Sequence, residues 1–228
     1  MEGYYVEKLF GARLRRCYEI ASPRVKQYLE AEIQFVIQKL ERTDSVLELG
    51  CGYGRVAIRL AGVAKRVVGI DTATESLELG RQLSGSDPEC EFMEMDALEL
   101  AFDDAEFDKV VCVQNGICAF GTDRELLLRQ ALRVTRPGGH IYFSTYSEGF
   151  RVDRLQWFEA QAAAGLLGEI DYTKTGNDEI VCKDGFRTGI VSPQEFRSLG
   201  LDLALDTKIT EVDGSSVFCE ITVPELAD

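Results

Sequence analysis

Apolar positions along this chain change their period several times, and each change predicts an element. Ser22-Pro23 offers a capping hydroxyl and then a proline where no amide donor is needed. From there Val25, Leu29, Ile33, Val36, Ile37 and Leu40 recur at helical spacing with polar residues between them, until Thr43-Asp44-Ser45 breaks the pattern. Five short, largely apolar runs follow and read as strands: Val46 to Leu49, Arg66 to Ile70, Glu91 to Met95, Lys109 to Val113 and His140 to Tyr146. Helical patterns separate them, through Val56, Ile58, Leu60 and Ala61, then Thr74 to Leu83, then Asp123 to Thr135. SGSDPE and LAFDDAEF read as connections, and Arg136-Pro137-Gly138-Gly139 as a tight turn. Apolar strands alternating with helices predict a parallel sheet covered on both faces.

The remaining segments follow other patterns. Residues 1–21 carry Tyr4, Tyr5, Phe10 and Tyr18 among basic residues and read as a partly helical preface. A helix is expected over Arg151 to Leu167, and a second begins at Ser192-Pro193. Between them Glu169 to Ile190, rich in Gly, Asp and β-branched residues, predicts short antiparallel strands that act as a lid. Leu203 to Val212, Asp213-Gly214 and Ser216 to Val223 predict a terminal hairpin. The expected organisation is one domain over 1–228: a helical cap (1–43), a ligand-binding core (44–146), a lid (147–191), and a C-terminal helix and hairpin (192–228).

Charge narrows the choice of ligand. With 25 Lys+Arg against 39 Asp+Glu the net charge is −14, a field that repels phosphate backbones and anionic lipid. Large nucleic-acid partners are therefore disfavoured. Seven cysteines, an odd number with no CxxC, read as reduced small hydrophobes of a cytoplasmic protein. The first residues lack the apolar core of a signal peptide, and no apolar run approaches membrane-spanning length.

The run VLELGCGYGR, from Val46 to Arg55, carries the chemistry. A strand ends on Glu48, and Gly50, Gly52 and Gly54 then turn the chain toward a helix, so a ligand can touch the backbone there. Asp71 closes the next strand, about where a nucleotide-binding fold places its ribose-binding carboxylate. Plainer readings exist for each position: turn glycines, a loop-orienting Glu48, a helix cap at Asp71 and a solvated turn acid at Asp96.

Taken in order, VLELGCGYG, Asp71, Asp96 in FMEMDALEL, FDKVVCVQN and LRVTRPGGHIYFSTY resemble the motifs of the class I S-adenosylmethionine-dependent methyltransferases, from Val46 to Tyr146. The resemblance implies an α/β, Rossmann-like doubly wound sheet of seven strands with a terminal antiparallel hairpin and a small lid insertion. It implies S-adenosyl-L-methionine as cofactor, held by Glu48, Gly50, Cys51, Gly52, Gly54, Asp71, Thr72, Asp96, Ala97, Gln114 and Asn115. In that family Asp71 would grip the ribose hydroxyls, and Asp96 with the Ala97 amide would read the adenine edge. A nicotinamide-dependent oxidoreductase fits less well, because its fingerprint wants GxGxxG and position 55 is Arg. A protein that binds the cofactor without turnover remains the second reading.

The acceptor is expected to be a small molecule. No metal-ligand cluster is evident, and His140, the only histidine, reads as structural. An Asn or Asp followed by Pro-Pro and an aromatic, the mark of nucleic-acid amino-methyltransferases, is absent; Gln114-Asn115-Gly116-Ile117 stands there. Tyr5, Tyr18, Tyr146 and Arg187 are the candidate pocket residues. Four tyrosines (Tyr4 with these three) and Trp157 would together suit a cationic amine, since aromatic faces attract positive charge. No residue stands out as a catalytic base.

Overall fold

The structure, a computed structural model, describes residues 3–85, 87–120 and 123–225. Met1 and Glu2 of the expected cap, Ser86 of the expected SGSDPE loop, and Leu226, Ala227 and Asp228 of the expected C-terminal segment lie outside the described residues.

Seven strands form one sheet: β1 (Ser45–Leu49), β2 (Arg66–Asp71), β3 (Cys90–Glu94), β4 (Phe107–Cys112), β5 (Thr135–Tyr146), and the hairpin strands β8 (Thr207–Val212) and β9 (Ser216–Thr222). Their order is β3-β2-β1-β4-β5-β9-β8. The pairs among β1 to β5 are parallel, and β9 runs antiparallel to both β5 and β8. This is the expected Rossmann-like sheet with its terminal hairpin.

Neighbouring residues of each central strand enter opposite cores, as a two-residue period requires. Leu47, Val68, Val110 and Ile141 pack with Leu127, Leu128 and Ala131 of α6 (Arg124–Val134) and Phe196 of α8 (Pro193–Asp202). Val46, Val67, Val111 and Tyr142 pack on the other face with Ile33 and Val36 of α3 (Pro23–Ile37), Leu60 of α4 (Ala57–Ala61) and Leu77 of α5 (Thr74–Ser84). The Ser22 hydroxyl accepts the Val25 N–H at 3.3 Å, so the cap read from sequence is formed.

A third core lies apart from these two. It joins α1 (Tyr4–Glu7), α2 (Gly11–Glu19), α7 (Arg151–Ala163) and the lid hairpin of β6 (Ile180–Val181) and β7 (Arg187–Thr188). Tyr146, at the carboxyl end of β5, belongs to it with Tyr28, Trp157, Phe158 and Phe186. This cluster is what roofs the strand ends. Polar latches fix it: Trp157 Nε1–H donates to Cys17 O at 2.9 Å, Tyr4 Oη–H to Asp184 Oδ2 at 2.6 Å, and Arg13 Nε–H to Leu166 O at 3.1 Å.

Three boundaries differ from the expected ones. The helix from Arg151 ends at Ala163, because Gly165 takes φ 68°, a left-handed stop. The strand expected from Leu203 begins only at Thr207, after α8 and a turn with Ala204 at φ 55°. Arg136 to Gly139 is a bulge inside β5 rather than a turn before it: Phe107 pairs with Thr135, and two residues later Lys109 pairs with His140.

Candidate functional site

The strand ends and their roof enclose a cavity of about 450 Å3. A size of that order suits a small organic ligand. It lies beyond the carboxyl ends of the parallel strands, where open α/β sheets bind ligands.

Its floor is the glycine turn after β1. Gly50, Cys51 and Gly52 line the cavity, whereas Gly54 does not. Gly54 has φ 77°, and a Cβ there would stand 2.3 Å from the Phe92 ring. Its glycine is needed to seat the turn on β3, not to face a ligand. The Cys51 thiol packs toward Gly69, so Cys51 offers backbone to the cavity.

Acids stand at three strand ends. Asp71 clamps the turn: Gly52 N–H donates to its Oδ2 at 2.8 Å and Ala73 N–H to its Oδ1 at 2.9 Å. Asp71 and Thr72 both line the cavity. Burial pushes the Asp71 carboxyl up, against those hydrogen bonds. Glu48 is 4% exposed, and burial raises its carboxyl to about 8. Its Oε2 has no hydrogen-bond partner. Asp96 is exposed at the cavity rim and caps its own turn through Leu98 N–H at 2.8 Å. Ala97 is buried beneath and does not line the cavity.

After β4 the chain takes two successive left-handed residues, Gln114 at φ 58° and Asn115 at φ 62°. Such strain persists only where surroundings over-determine it. Gln114 N–H is shared between Glu32 Oε2 at 2.6 Å and Ser144 Oγ at 2.8 Å. The Asn115 amide donates to Thr188 Oγ1 and Gly189 O, both at 3.1 Å, and its oxygen accepts the Thr145 hydroxyl at 2.8 Å. Asn115 therefore ties β4, β5 and the lid together while lining the cavity.

Tyr5, Tyr18 and Tyr146 line the walls with Tyr28, Trp157, Phe158 and Phe186. Arg187 does not. It is exposed and ion-paired to Glu179 at 2.8 Å, because the two-residue strand β7 turns alternate side chains to opposite faces, and it is Thr188 that faces inward. Tyr4 is turned away to Asp184. An aromatic cage for an amine is also not available on two of these rings: the Arg55 guanidinium lies 4.8 Å from the Tyr18 centroid, and that of Arg154 lies 4.7 Å from Tyr146. His140 sits at the opposite end of β5, beside Thr222 Oγ1 at 3.2 Å.

Sequence reading named Tyr5, Tyr18, Tyr146 and Trp157 but missed Glu32, Arg55 and the roof residues Tyr28, Phe158 and Phe186. Glu32 had a signal: it stands three residues after Leu29 and four before Val36, an acid within the apolar stripe of α3. Arg55 and the roof residues had none, since only tertiary packing brings them to the strand ends.

Residues 46–139 match a family model described as a methyltransferase domain. The chain is 31% identical over 134 residues to a ubiquinone biosynthesis O-methyltransferase of Paracidovorax citrulli, covering 57% of this chain and 56% of that protein. It is 35% identical over 104 residues to a demethylmenaquinone methyltransferase of Clavibacter sepedonicus, covering 46% of this chain and 42% of that one. The chain thus spans about half the length of these relatives. In fold it is similar to the PH0226 protein of Pyrococcus horikoshii OT3, with a TM-score of 0.73 and 18% identity over 98% of this chain and 99% of that one. It is also similar to the N-methyltransferase NodS of Bradyrhizobium japonicum bound to S-adenosylhomocysteine, with a TM-score of 0.60 and 15% identity over 90% and 89% of the two chains.

Proposed function

We propose that the chain is a class I S-adenosylmethionine-dependent methyltransferase that methylates a small organic acceptor inside the roofed cavity. The observation that carries this is one enclosed space containing both a glycine-turn floor with three acids and an aromatic roof.

The residues fit the cofactor. Gly50, Cys51 and Gly52 leave backbone open to the cavity, Asp71 and Asp96 offer carboxylates on its wall, and Glu48 Oε2 is buried without a partner. These residues, with Thr72, Gln114 and Asn115, would hold S-adenosylmethionine; Gly54 and Ala97 act from behind them. When bound, the cofactor supplies a methyl group already activated by its sulfonium. The protein's own share is then chiefly placement. The Gln114-Asn115 turn is held by partners on α3, β5 and the lid, and the aromatic roof covers the strand ends. Alignment of this kind is worth up to roughly 7–11 kcal/mol.

An aromatic or otherwise flat acceptor suits walls built from Tyr5, Tyr28, Trp157, Phe158 and Phe186. The quinone-pathway names of the two relatives support that class. The reading takes residues 1–228 as one cytoplasmic domain with no nucleic-acid partner, in keeping with the −14 charge. Among the described residues no helix is long and apolar enough to cross a membrane.

Calorimetric titration with S-adenosylhomocysteine tests the first half of the proposal, and a panel of phenols, quinols and amines with labelled donor tests the second. Micromolar binding and transfer to a flat acceptor are expected. No binding at millimolar ligand would overturn it.

A further inference from the structure

Two buried polar atoms of α3 stand without a hydrogen-bond partner among the described residues: the Tyr28 hydroxyl and Oε1 of Glu32. Both residues are fully buried. They lie one helical turn apart, at positions i and i+4, so their side chains are neighbours on one face. Of the surrounding charges, that of Glu32 acts most strongly on the Tyr28 hydroxyl. Tyr28 lines the cavity, and Glu32 stands behind it.

The rest of the Glu32 carboxyl is fixed. Its Oε2 accepts Gln114 N–H at 2.6 Å and the Ser144 hydroxyl at 3.0 Å. The Ser216 hydroxyl lies beside the carboxyl and likewise has no partner at hydrogen-bond distance. A carboxylate oxygen has two lone pairs, so Oε1 can accept from Ser216 and from Tyr28 together. Polar groups left open inside a protein are costly and call for a use. The other walls select the acceptor. Guanidinium groups of Arg55 and Arg154 lie over the Tyr18 and Tyr146 rings, a poor setting for a cation. A neutral hydroxyl suits these walls, and it must lose its proton when it is methylated.

We propose that Tyr28 and Glu32 form a proton relay for an acceptor hydroxyl, with Tyr28 touching the acceptor and Glu32 acting through it. This rests on the methyltransferase reading and deepens it to transfer at oxygen. As the acceptor oxygen bonds to the methyl carbon and the carbon–sulfur bond breaks, the acceptor's proton passes to Tyr28 Oη. The phenol's own proton passes to Glu32 Oε1. The positive charge of the sulfonium and the negative charge of the carboxylate are discharged together. Burial raises Glu32 to about 7, so the relay is open above that pH and filled below it. Tyr28, Tyr146 and Cys112 also face Glu32, and burial pushes all three up, so they stay neutral through that range. Arg55 supplies the facing positive charge. Glu48, raised to about 8, is a second acid of the cavity that changes charge nearby in pH.

The experiment measures binding of phenol and of anisole, its methyl ether, to the full chain loaded with S-adenosylhomocysteine. Calorimetry near pH 5 and near pH 8 compares wild type with Glu32→Gln and Tyr28→Phe. Both variants are expected to melt no lower than wild type and to bind S-adenosylhomocysteine unchanged. Phenol has a proton to donate and should bind wild type roughly tenfold more tightly at the higher pH, whereas anisole binds equally at both. Each variant should bind phenol alike at the two pH values, and its methyl transfer to phenol should fall roughly a hundredfold or more. A phenol response to pH that survives Glu32→Gln belongs to another acid, such as Glu48, and overturns the proposal. Anisole that tightens as phenol does, or a wild type that binds neither, also overturns it. So do variants that melt lower and lose S-adenosylhomocysteine, which mark a structural pair. A wild type that does not bind S-adenosylhomocysteine defeats the methyltransferase reading instead, and phenol against anisole on the unloaded chain then still reads out the relay.

Discussion

Glu32 Oε2 accepts the backbone N–H of Gln114 at 2.6 Å, joining the middle of α3 to the strained turn at the end of β4. Glu32 is fully buried, and its other oxygen has no partner. Burial raises its carboxyl from 4.5 to about 7. For an acid raised on folding, the native state holds the extra proton between those two values, so stability is lost as pH rises through that window. Glu32→Gln keeps an acceptor for Gln114 and removes the titration. Its unfolding free energy, read from urea titrations, is expected to match wild type near pH 5 and to exceed it near pH 8 by an amount on the order of 3 kcal/mol. Parallel pH profiles of the two proteins would show that Glu32 does not titrate in this range.

Asp71 holds the glycine turn and lines the cavity. Asp71→Asn retains one acceptor for the turn and loses the charge. We expect a folded protein with at least tenfold weaker S-adenosylhomocysteine binding, read by calorimetry. Undiminished affinity would leave Asp71 with the turn alone.

Gly54→Ala tests the seat of the turn. The added methyl meets Phe92 at a 2.3 Å separation in a left-handed backbone. A loss on the order of 2 kcal/mol or more is expected, read from urea midpoints. Phe92→Leu in the same chain should recover part of it by yielding space. An unchanged midpoint for Gly54→Ala alone would mean that the strand and turn separate freely.

Trp157→Phe leaves the Cys17 carbonyl without its donor under the roof. A buried carbonyl left unpaired costs about 1–3 kcal/mol. The cost should fall locally on α2, so amide exchange of residues 11–19 is expected to quicken while β1 and β4 keep their protection. Uniform acceleration across the sheet would contradict a local latch.

The sequence by itself determined the sheet and its ligand-facing ends. Two-residue alternation in Val46-Leu47, Val67-Val68 and Val110-Val111 requires two covered faces, and the glycines after Glu48 require a turn where backbone is bare. Those are local signals, written in neighbouring residues. Tertiary structure alone decided which side chains meet across long separations. It set Glu32 under Gln114, 82 residues away, and turned Arg187 outward while placing Thr188 within reach of Asn115. It also left Gly54 and Ala97 out of the cavity lining, and set Arg55 and Arg154 against the tyrosine faces expected to receive a cation. Such contacts depend on how elements pack, and no period or motif in the chain encodes that packing one residue at a time.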